Sequence, residues 1–299
     1  MRRRVLITGS SGLVGTALRR AFASDFEIRC LDLRGLADDE GDVLDADRVA
    51  AALRNCDGVI HLAAISRVVH AERQPDSCWS TNVSGLTNVL RASIAQRRQP
   101  WVIFASSREV YGQPEQLPVD EECPLQPMNV YGRSKVEGER LVAAARRDGL
   151  RAAVVRLSNV YGSTRDHADR VVPAFARAAL SGRPLRVEGT DHSFDFTHID
   201  DVARGIAALA SSLLAGGPPP APIHFVSGTA TTLGQLAQLA IDVTASASPI
   251  ELAPPRDFDV ARFCGAPARA RVVLGWSSLI PLREGLTRLV NDFRAQETT

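Results

Sequence analysis

A chain of 299 residues, 45% of them hydrophobic, is long enough for one large α/β domain or for one domain with a smaller lobe. Its net charge of +1 gives no reason to expect binding to nucleic acid or to an anionic membrane. The apolar segment after Arg2, Arg3 and Arg4 is too short for a signal peptide or a membrane span. Five cysteines without metal-site or disulfide spacing favour a reducing, cytoplasmic location and no metal centre.

Short apolar runs alternate with amphipathic stretches over the first 160 or so positions of the sequence. This alternation of strands and helices is typical of a parallel sheet covered by helices on both faces. The predicted strands are 5–7, 28–31, 58–62, 102–104 and 153–156, and the predicted helices are 13–23, 46–53, 84–96 and 130–146.

The pattern becomes less regular after Val160. We predict a helix at 171–180, a short strand at 184–187, a helix at 200–215, a Gly/Pro loop at 216–220 and a late strand of the main sheet at 223–226. The predicted domains are a nucleotide-binding Rossmann domain over 1–165, completed by 195–228, and a smaller substrate-binding lobe formed by 166–194 and 229–299.

A glycine-rich segment, Gly9-Ser10-Ser11-Gly12-Leu13-Val14-Gly15, stands between the first predicted strand and the first predicted helix. Glycines there allow a tight turn and a close approach to a pyrophosphate, which the helix N-terminus also attracts. Asp32 ends the second predicted strand, where a carboxylate accepts hydrogen bonds from ribose hydroxyls and repels a 2′-phosphate. The pattern favours NAD over NADP, although Arg34, two residues further on, would tolerate the 2′-phosphate of NADP.

Lys135 is the only lysine among 35 Lys and Arg residues. Arginine serves wherever charge alone suffices, so a lone lysine indicates a need for a compact ammonium. It lies four residues after Tyr131, one of only three tyrosines, on the same face of a predicted helix. A nearby ammonium, together with a positively charged nicotinamide ring, stabilises a phenolate and lowers the tyrosine pKa, which would make Tyr131 a base.

Further motifs follow in a fixed order along almost the whole chain. They are Gly41-Asp42-Val43, His61-Leu62-Ala63-Ala64, Thr81-Asn82-Val83, the segment Ser106-Ser107-Arg108-Glu109-Val110-Tyr111-Gly112, Tyr131-Gly132-Arg133-Ser134-Lys135, Arg156-Leu157-Ser158-Asn159-Val160-Tyr161-Gly162, and Asp195-Phe196-Thr197-His198-Ile199-Asp200-Asp201. In this order and spacing the chain resembles the extended short-chain dehydrogenase/reductase family, in its nucleotide-sugar epimerase and dehydratase branch.

The resemblance implies a doubly wound parallel sheet, NAD as cofactor, a sugar substrate joined to a nucleotide, and a homodimer formed through the helices 84–96 and 130–146. It implies catalysis by Tyr131 and Lys135, with Ser107 bound to the reacting oxygen. The cofactor contacts that it implies are Gly9, Gly12, Leu13, Val14, Gly15, Asp32, Asp42, Val43, Leu62, Ala63, Ala64, Asn82, Tyr131 and Lys135. The substrate contacts that it implies are Ser107, Arg108, Glu109, Asn159, Arg186 and Arg256, while His61 receives no catalytic role.

Two positions depart from the family pattern. Dehydratases of the branch carry an acidic pair after the Ser/Thr, whereas this chain has Arg108 and Glu109, and a guanidinium is not an acid at neutral pH. The arginine usually found before the Asp-Phe-Thr segment, a phosphate ligand, is Phe194 here. Arg183, Arg186 and His192 are candidates to compensate for it, and a substrate without a nucleotide is the other explanation.

Three hypotheses remain from the sequence. The first is a 4-epimerase that oxidises a sugar hydroxyl and returns the hydride to the other face of the sugar. The second is a net dehydrogenase, reductase or decarboxylase that acts on a sugar or sugar acid; Glu109 keeps decarboxylation open. The third is a non-enzymatic dinucleotide-binding subunit, which the presence of both Tyr131 and Lys135 disfavours.

Overall fold

The central feature of the computed structural model, which describes residues 2–36, 39–256, 258 and 260–297, is a six-stranded parallel sheet. Its strands are β1 (Arg3–Thr8), β2 (Phe26–Leu31), β3 (Gly58–His61), β4 (Trp101–Ser107), β5 (Ala152–Leu157) and β9 (Ile223–Phe225). Their order in the sheet is β2-β1-β3-β4-β5-β9, with every neighbouring pair parallel. The order changes direction at β1, which is where open α/β sheets form a ligand crevice at the carboxyl ends of their strands.

Helices cover both faces of this sheet. The helices of the chain are α1 (Leu13–Phe22), α2 (Ala46–Leu53), α3 (Val68–Arg73), α4 (Pro75–Trp79), α5 (Gly85–Ala95), α6 (Val130–Arg147), α7 (Val171–Leu180), α8 (Ile199–Leu214), α9 (Leu233–Thr244), α10 (Ala268–Leu274) and α11 (Leu282–Glu297). One buried apolar cluster joins the sheet to α1 and α8, and another joins the opposite face to α2, α5 and α6. The central strands β4 and β5 are buried on both faces and consist mostly of apolar residues.

Two small sheets lie outside the main one. The strands β6 (Asn159–Tyr161), β8 (Ser193–His198) and β10 (Ala230–Thr232) form the order β10-β8-β6, and β7 (Leu185–Glu188) pairs in parallel with β11 (Ile250–Ala253). A third apolar cluster packs these strands against α7, α9 and α11. The carboxyl-terminal half therefore contributes its own core beside the main sheet.

The main elements agree with the sequence predictions. α1, α2 and α6 lie where helices were predicted, and β9 joins the main sheet as the predicted late strand. The predicted helix 84–96 begins earlier, with a wide π-type turn at Ser80–Ser84. β8 pairs with β6 and β10 outside the main sheet, so not all of segment 195–228 completes that sheet; the domain division itself stays a prediction.

None of the helices in the described part of the chain is both long and apolar enough to cross a membrane.

Candidate functional site

A cavity of about 930 Å³ opens at the carboxyl ends of the central strands. This volume is at the upper end for small-molecule sites. Residues of the main sheet line one part of the cavity and residues of β6, β7, β8 and α7 line another. The cavity therefore lies between the parallel sheet and the carboxyl-terminal core.

The glycine-rich turn occupies one part of this cavity. Gly9 has φ of 69°, and a Cβ there would lie 2.7 Å from the Ala63 nitrogen. A Cβ at Gly15 would lie 2.4 Å from the Gly9 oxygen. Both positions need glycine because strand, turn and helix approach each other without room for a side chain. Helix α1 then starts after Gly12 without a side-chain cap, which leaves backbone N–H groups for an anion.

Asp32 follows β2 beside this turn. Its carboxylate accepts hydrogen bonds from the backbone nitrogens of Ser11 at 2.9 Å and Arg34 at 2.8 Å, which fix its orientation. Each oxygen keeps lone pairs for a hydroxyl donor. Other predicted cofactor residues that line the cavity are Gly12, Leu13, Val14, Asp42, Val43, Leu62, Ala63 and Ala64. Helix N–H donors near a fixed carboxylate fit the pyrophosphate and ribose of a dinucleotide.

Asn82 does not line the cavity. Its side-chain amide donates to the Ile65 oxygen and to Ser134 Oγ at 2.9 Å, and its oxygen accepts from the Ile65 nitrogen at 2.8 Å. These bonds join the loop after β3 to helix α6, and a direct contact of Asn82 with the cofactor stays a prediction. His61 is likewise buried, bonded to Thr8, with its pKa lowered by burial to about 3.

Ser107, Tyr131 and Lys135 meet at the cavity. Ser107 ends β4, while Tyr131 and Lys135 lie one turn apart in the first half of α6. The Lys135 ammonium donates to the Ala105 oxygen at 2.8 Å and lies 5.7 Å from the centre of the Tyr131 ring. Helix α6 begins at Asn129, whose side-chain oxygen accepts from the Gly132 nitrogen at 2.8 Å. The cap fixes the start of the helix that carries both residues.

The predicted lowering of the Tyr131 pKa is not found in the protein alone. Burial raises the pKa of Tyr131 to about 12, although a hydrogen bond with Ser107 and the charge of Arg170 act in the opposite direction. Burial also lowers the pKa of Lys135 to about 8. Desolvation disfavours the charged form of each group, so formation of a phenolate depends on additional positive charge at this site.

Arg108 and Glu109 follow Ser107 and turn toward the smaller sheets. Arg108 donates through Nε to Asn159 Oδ1 at 2.8 Å, and its guanidinium carbon lies 4.6 Å from the centre of the Phe194 ring. Its Nη2 contacts Glu109 Oε1 at 2.8 Å. Asn129 donates to the other Glu109 oxygen at 2.8 Å. Both oxygens of the Glu109 carboxylate are therefore engaged by protein groups.

The predicted substrate residues Arg186 and Arg256 lie in the part of the cavity formed by the carboxyl-terminal half. Their Nε atoms are 3.3 and 3.5 Å from the two oxygens of Glu188, so one carboxylate joins both arginines. The Arg186 side chain is 70% exposed. Because Arg186 is exposed and paired with Glu188, it is poorly placed to replace the arginine that is missing at position 194. Arg108 lies over the Phe194 ring instead.

A group of charged residues that the sequence did not single out also lines the cavity. Arg67, in the loop before α3, forms an ion pair with Asp169, and Arg170 lies 3.6 Å from Asp166. Asp166 is buried and burial raises its pKa. No motif marks these positions, because two separate segments, the loop before α3 and the segment before α7, bring them together.

The family model for the NAD dependent epimerase/dehydratase family matches residues 5–221. The chain belongs to this family, and NAD is its cofactor, as Asp32 and the glycine-rich turn predicted.

Relatives with different names match nearly the whole chain. UDP-glucuronic acid decarboxylase 1 of Danio rerio is 28% identical over 98% of this chain and 73% of its own length. Two solved structures cover 98% of this chain and 99% of their own, each at 26% identity: MoeE5 in complex with UDP-glucuronic acid and NAD, with a TM-score of 0.89, and UDP-glucose 4-epimerase of Thermotoga maritima with UDP-glucose, with a TM-score of 0.90. These likenesses confirm the fold class.

Proposed function

We propose that this protein is an NAD-dependent nucleotide-sugar 4-epimerase. The observation that carries the proposal is the convergence of Ser107, Tyr131 and Lys135 on one cavity with the dinucleotide-binding turn, while Glu109 is held by Arg108 and Asn129. A 4-epimerase needs a base, a hydrogen-bond donor to the reacting oxygen and a cofactor, but no second acid or base. The solved structure of UDP-glucose 4-epimerase adds support through its likeness over the whole chain.

Each catalytic side chain has a role that its position supports. Tyr131 takes the proton from the sugar hydroxyl at C4, and Ser107 donates a hydrogen bond to the same oxygen. Lys135 binds the nicotinamide ribose and adds positive charge near the phenolate. Bound NAD would accept the hydride from C4 and return it to the opposite face of the keto sugar. After the keto sugar turns over in the cavity, Tyr131 returns its proton to the oxygen.

The engagement of Glu109 favours epimerisation over elimination. A 4,6-dehydratase uses an acid and a base beside the sugar, and here the first of these positions is a guanidinium. Glu109 contacts Arg108 and Asn129 through opposite oxygens, each at 2.8 Å. A carboxylate held in this way is poorly placed to shuttle a proton, because moving it breaks two hydrogen bonds.

Decarboxylation of a nucleotide-linked uronate is the second candidate. The named decarboxylase relative matches 98% of the chain, and two guanidinium groups, Arg108 and Arg170, line the same cavity as Tyr131. A substrate carboxylate is attracted to such cations. Decarboxylation also begins with oxidation at C4, so it uses the same Ser107, Tyr131 and Lys135.

Product analysis separates these functions. The purified protein with NAD is incubated with UDP-glucose, UDP-galactose, their N-acetyl relatives and UDP-glucuronic acid, and the sugars are followed by NMR. We expect interconversion of C4 epimers with no net NADH. Release of carbon dioxide with a pentose product would establish decarboxylation, and stoichiometric NADH would establish a net dehydrogenase. Unchanged substrates throughout the panel would refute the proposal.

We also propose a homodimer. Its basis is the resemblance together with the two adjacent helices α5 and α6, which are packed against one another and could form a four-helix bundle with their symmetry mates. Light scattering at micromolar concentration is expected to give twice the mass of the chain, 32.2 kDa. A single-chain mass would contradict this assembly.

A further inference from the structure

The guanidinium of Arg108 is fixed on two edges and lacks a partner on the third. Nε donates to Asn159 and Nη2 contacts Glu109, each at 2.8 Å. Nη1 is buried and has no hydrogen-bond partner among the described residues. A buried donor without an acceptor is unfavourable, and more so when it is charged. An anion beside the guanidinium would remove that penalty.

Phe194 gives Arg108 its position. The guanidinium carbon lies 4.6 Å from the centre of the Phe194 ring and 5.9 Å from that of Phe263. A planar guanidinium stacks well on aromatic faces, which limits its rotation. Only 11% of the Arg108 side chain is exposed, and the residue lines the cavity. The Arg108 guanidinium is therefore held in place over Phe194, a residue that carries no charge.

The location of Arg108 relative to the catalytic residues indicates which end of a substrate it meets. The reacting hydroxyl belongs beside Ser107 and Tyr131, at the end of β4 and the start of α6. Arg108 instead reaches Asn159 on β6 and Phe194 on β8. It is therefore displaced from the reaction centre toward the carboxyl-terminal half of the chain.

We propose that Arg108 binds the diphosphate of the substrate and supplies the positive charge that position 194 lacks in this chain. This inference rests on the proposed function, since it requires a nucleotide-linked sugar. Arg108 reaches the diphosphate from the turn after β4, whereas an arginine at position 194 would reach it from β8. Phe194 then acts as the platform that holds the guanidinium.

Calorimetric titration of the NAD-loaded protein with UDP and with UDP-glucose tests this assignment. Arg108→Ala should weaken the binding of both ligands about tenfold to a hundredfold, because each loses a charge-assisted hydrogen bond. Arg108→Lys should recover only part of the loss, because an ammonium lacks the stacked planar donor set. Arg271→Ala, which removes an exposed arginine that does not line the cavity, is the matched control and should bind within about twofold of the wild type.

A second variant moves the charge back to β8. Arg108→Ala combined with Phe194→Arg should bind UDP more tightly than Arg108→Ala alone, which a purely structural role of Arg108 would not produce. The NAD content and the melting temperature of each variant report whether the fold is retained.

Two outcomes would overturn the assignment of Arg108. They are unchanged UDP affinity in Arg108→Ala, even if UDP-glucose binds more weakly, and no recovery in the double variant. Wild-type protein that binds neither UDP nor UDP-glucose would instead contradict the proposed function, so the two failures are distinguishable.

Discussion

At the residue scale, the structure explains why a chain so rich in arginine has one lysine. The Lys135 side chain is buried, its ammonium donates to the Ala105 oxygen, and it lies 4.8 Å from the centre of the Phe104 ring. A guanidinium is larger than an ammonium, and it does not lose its proton when it is buried. The unusual composition at this position therefore follows from burial next to Tyr131.

Substitution of Lys135 should remove activity without unfolding the protein. Lys135→Met preserves the length of the side chain and removes the ammonium, and we expect turnover to fall about a hundredfold or more. Lys135→Arg should be similarly inactive, because its head group does not fit beside Ala105. Turnover of the substrate identified from the panel is the measurement, with circular dichroism as the check on folding. A Lys135→Arg protein with wild-type activity would disprove the catalytic role.

The lowered pKa of Lys135 predicts a pH-dependent contribution to stability. The pKa is about 8 in the folded chain against 10.5 for the unperturbed group, so between these values the unfolded state binds the proton and the folded state does not. Stability relative to Lys135→Met should therefore rise as the pH rises through this window. The expected gain is about 2–3 kcal/mol between roughly pH 7 and pH 10.

Urea unfolding of wild type and Lys135→Met at several pH values measures this difference, and contributions from other groups cancel in the comparison. A difference that stays constant across the window would show that Lys135 titrates normally in the folded protein.

At the scale of elements, the sequence predicted those that combine a local motif with an apolar run. The glycine-rich turn, α1 and α6 were found in this way, because glycines and helical periodicity are visible locally. The positions of Arg108 and Arg170 were not predictable to the same extent. Arg108 was expected to contact substrate, but its stacking on Phe194 requires β8 to lie beside the turn after β4.

The glycine-rich turn offers a way to separate folding from cofactor binding. A Cβ at Gly15 would lie 2.4 Å from the Gly9 oxygen and 2.6 Å from Ser10 Cα, so the backbone itself must shift. A Cβ at Gly12 meets its nearest atom, the Gly9 oxygen, at 3.3 Å. Gly15→Ala should therefore destabilise the fold by about 1–3 kcal/mol.

Gly12→Ala should leave stability nearly unchanged but weaken NAD binding about tenfold or more, since the added methyl stands where the pyrophosphate approaches the helix. Denaturant unfolding without NAD and calorimetric titration with NAD give the two quantities for each variant. Equal NAD affinity in Gly12→Ala and wild type would show that the pyrophosphate does not approach this turn.

At the scale of the whole molecule, the layered architecture followed from the sequence because β1, β4 and β5 of the main sheet each contain an apolar run of three or more residues. The two small sheets could not be predicted from the sequence in this way. β6 and β10 have three residues each, and strands so short are defined by their partners rather than by a pattern of their own. The parallel pairing of β7 with β11 joins residues more than 60 positions apart, a contact that no local sequence pattern predicts.

A buried polar network connects the main sheet, α6 and the segment after β4. Arg156 on β5 contacts Glu139 on α6 at 2.9 and 2.6 Å and donates to Tyr111 Oη at 2.6 Å. Tyr111 in turn hydrogen-bonds His224 on β9 at 2.6 Å. Glu139 is one turn beyond Lys135 on α6, so the network holds the catalytic helix against the sheet.

Removing the charge of Arg156 alone should destabilise the fold more than removing the charges of both Arg156 and Glu139. Arg156→Met leaves the Glu139 carboxylate buried without its cation, and breaking such a pair typically destabilises by about 3–5 kcal/mol. Combining Arg156→Met with Glu139→Gln removes the stranded charge while preserving an acceptor for Ser106, which donates to Glu139 at 2.5 Å. The double variant should therefore be more stable than Arg156→Met alone, and urea unfolding of the wild type, both single variants and the double variant measures the coupling. Simple additivity of the two losses would mean that the pair does not act as a unit, and that α6 is held to the sheet by its apolar contacts instead.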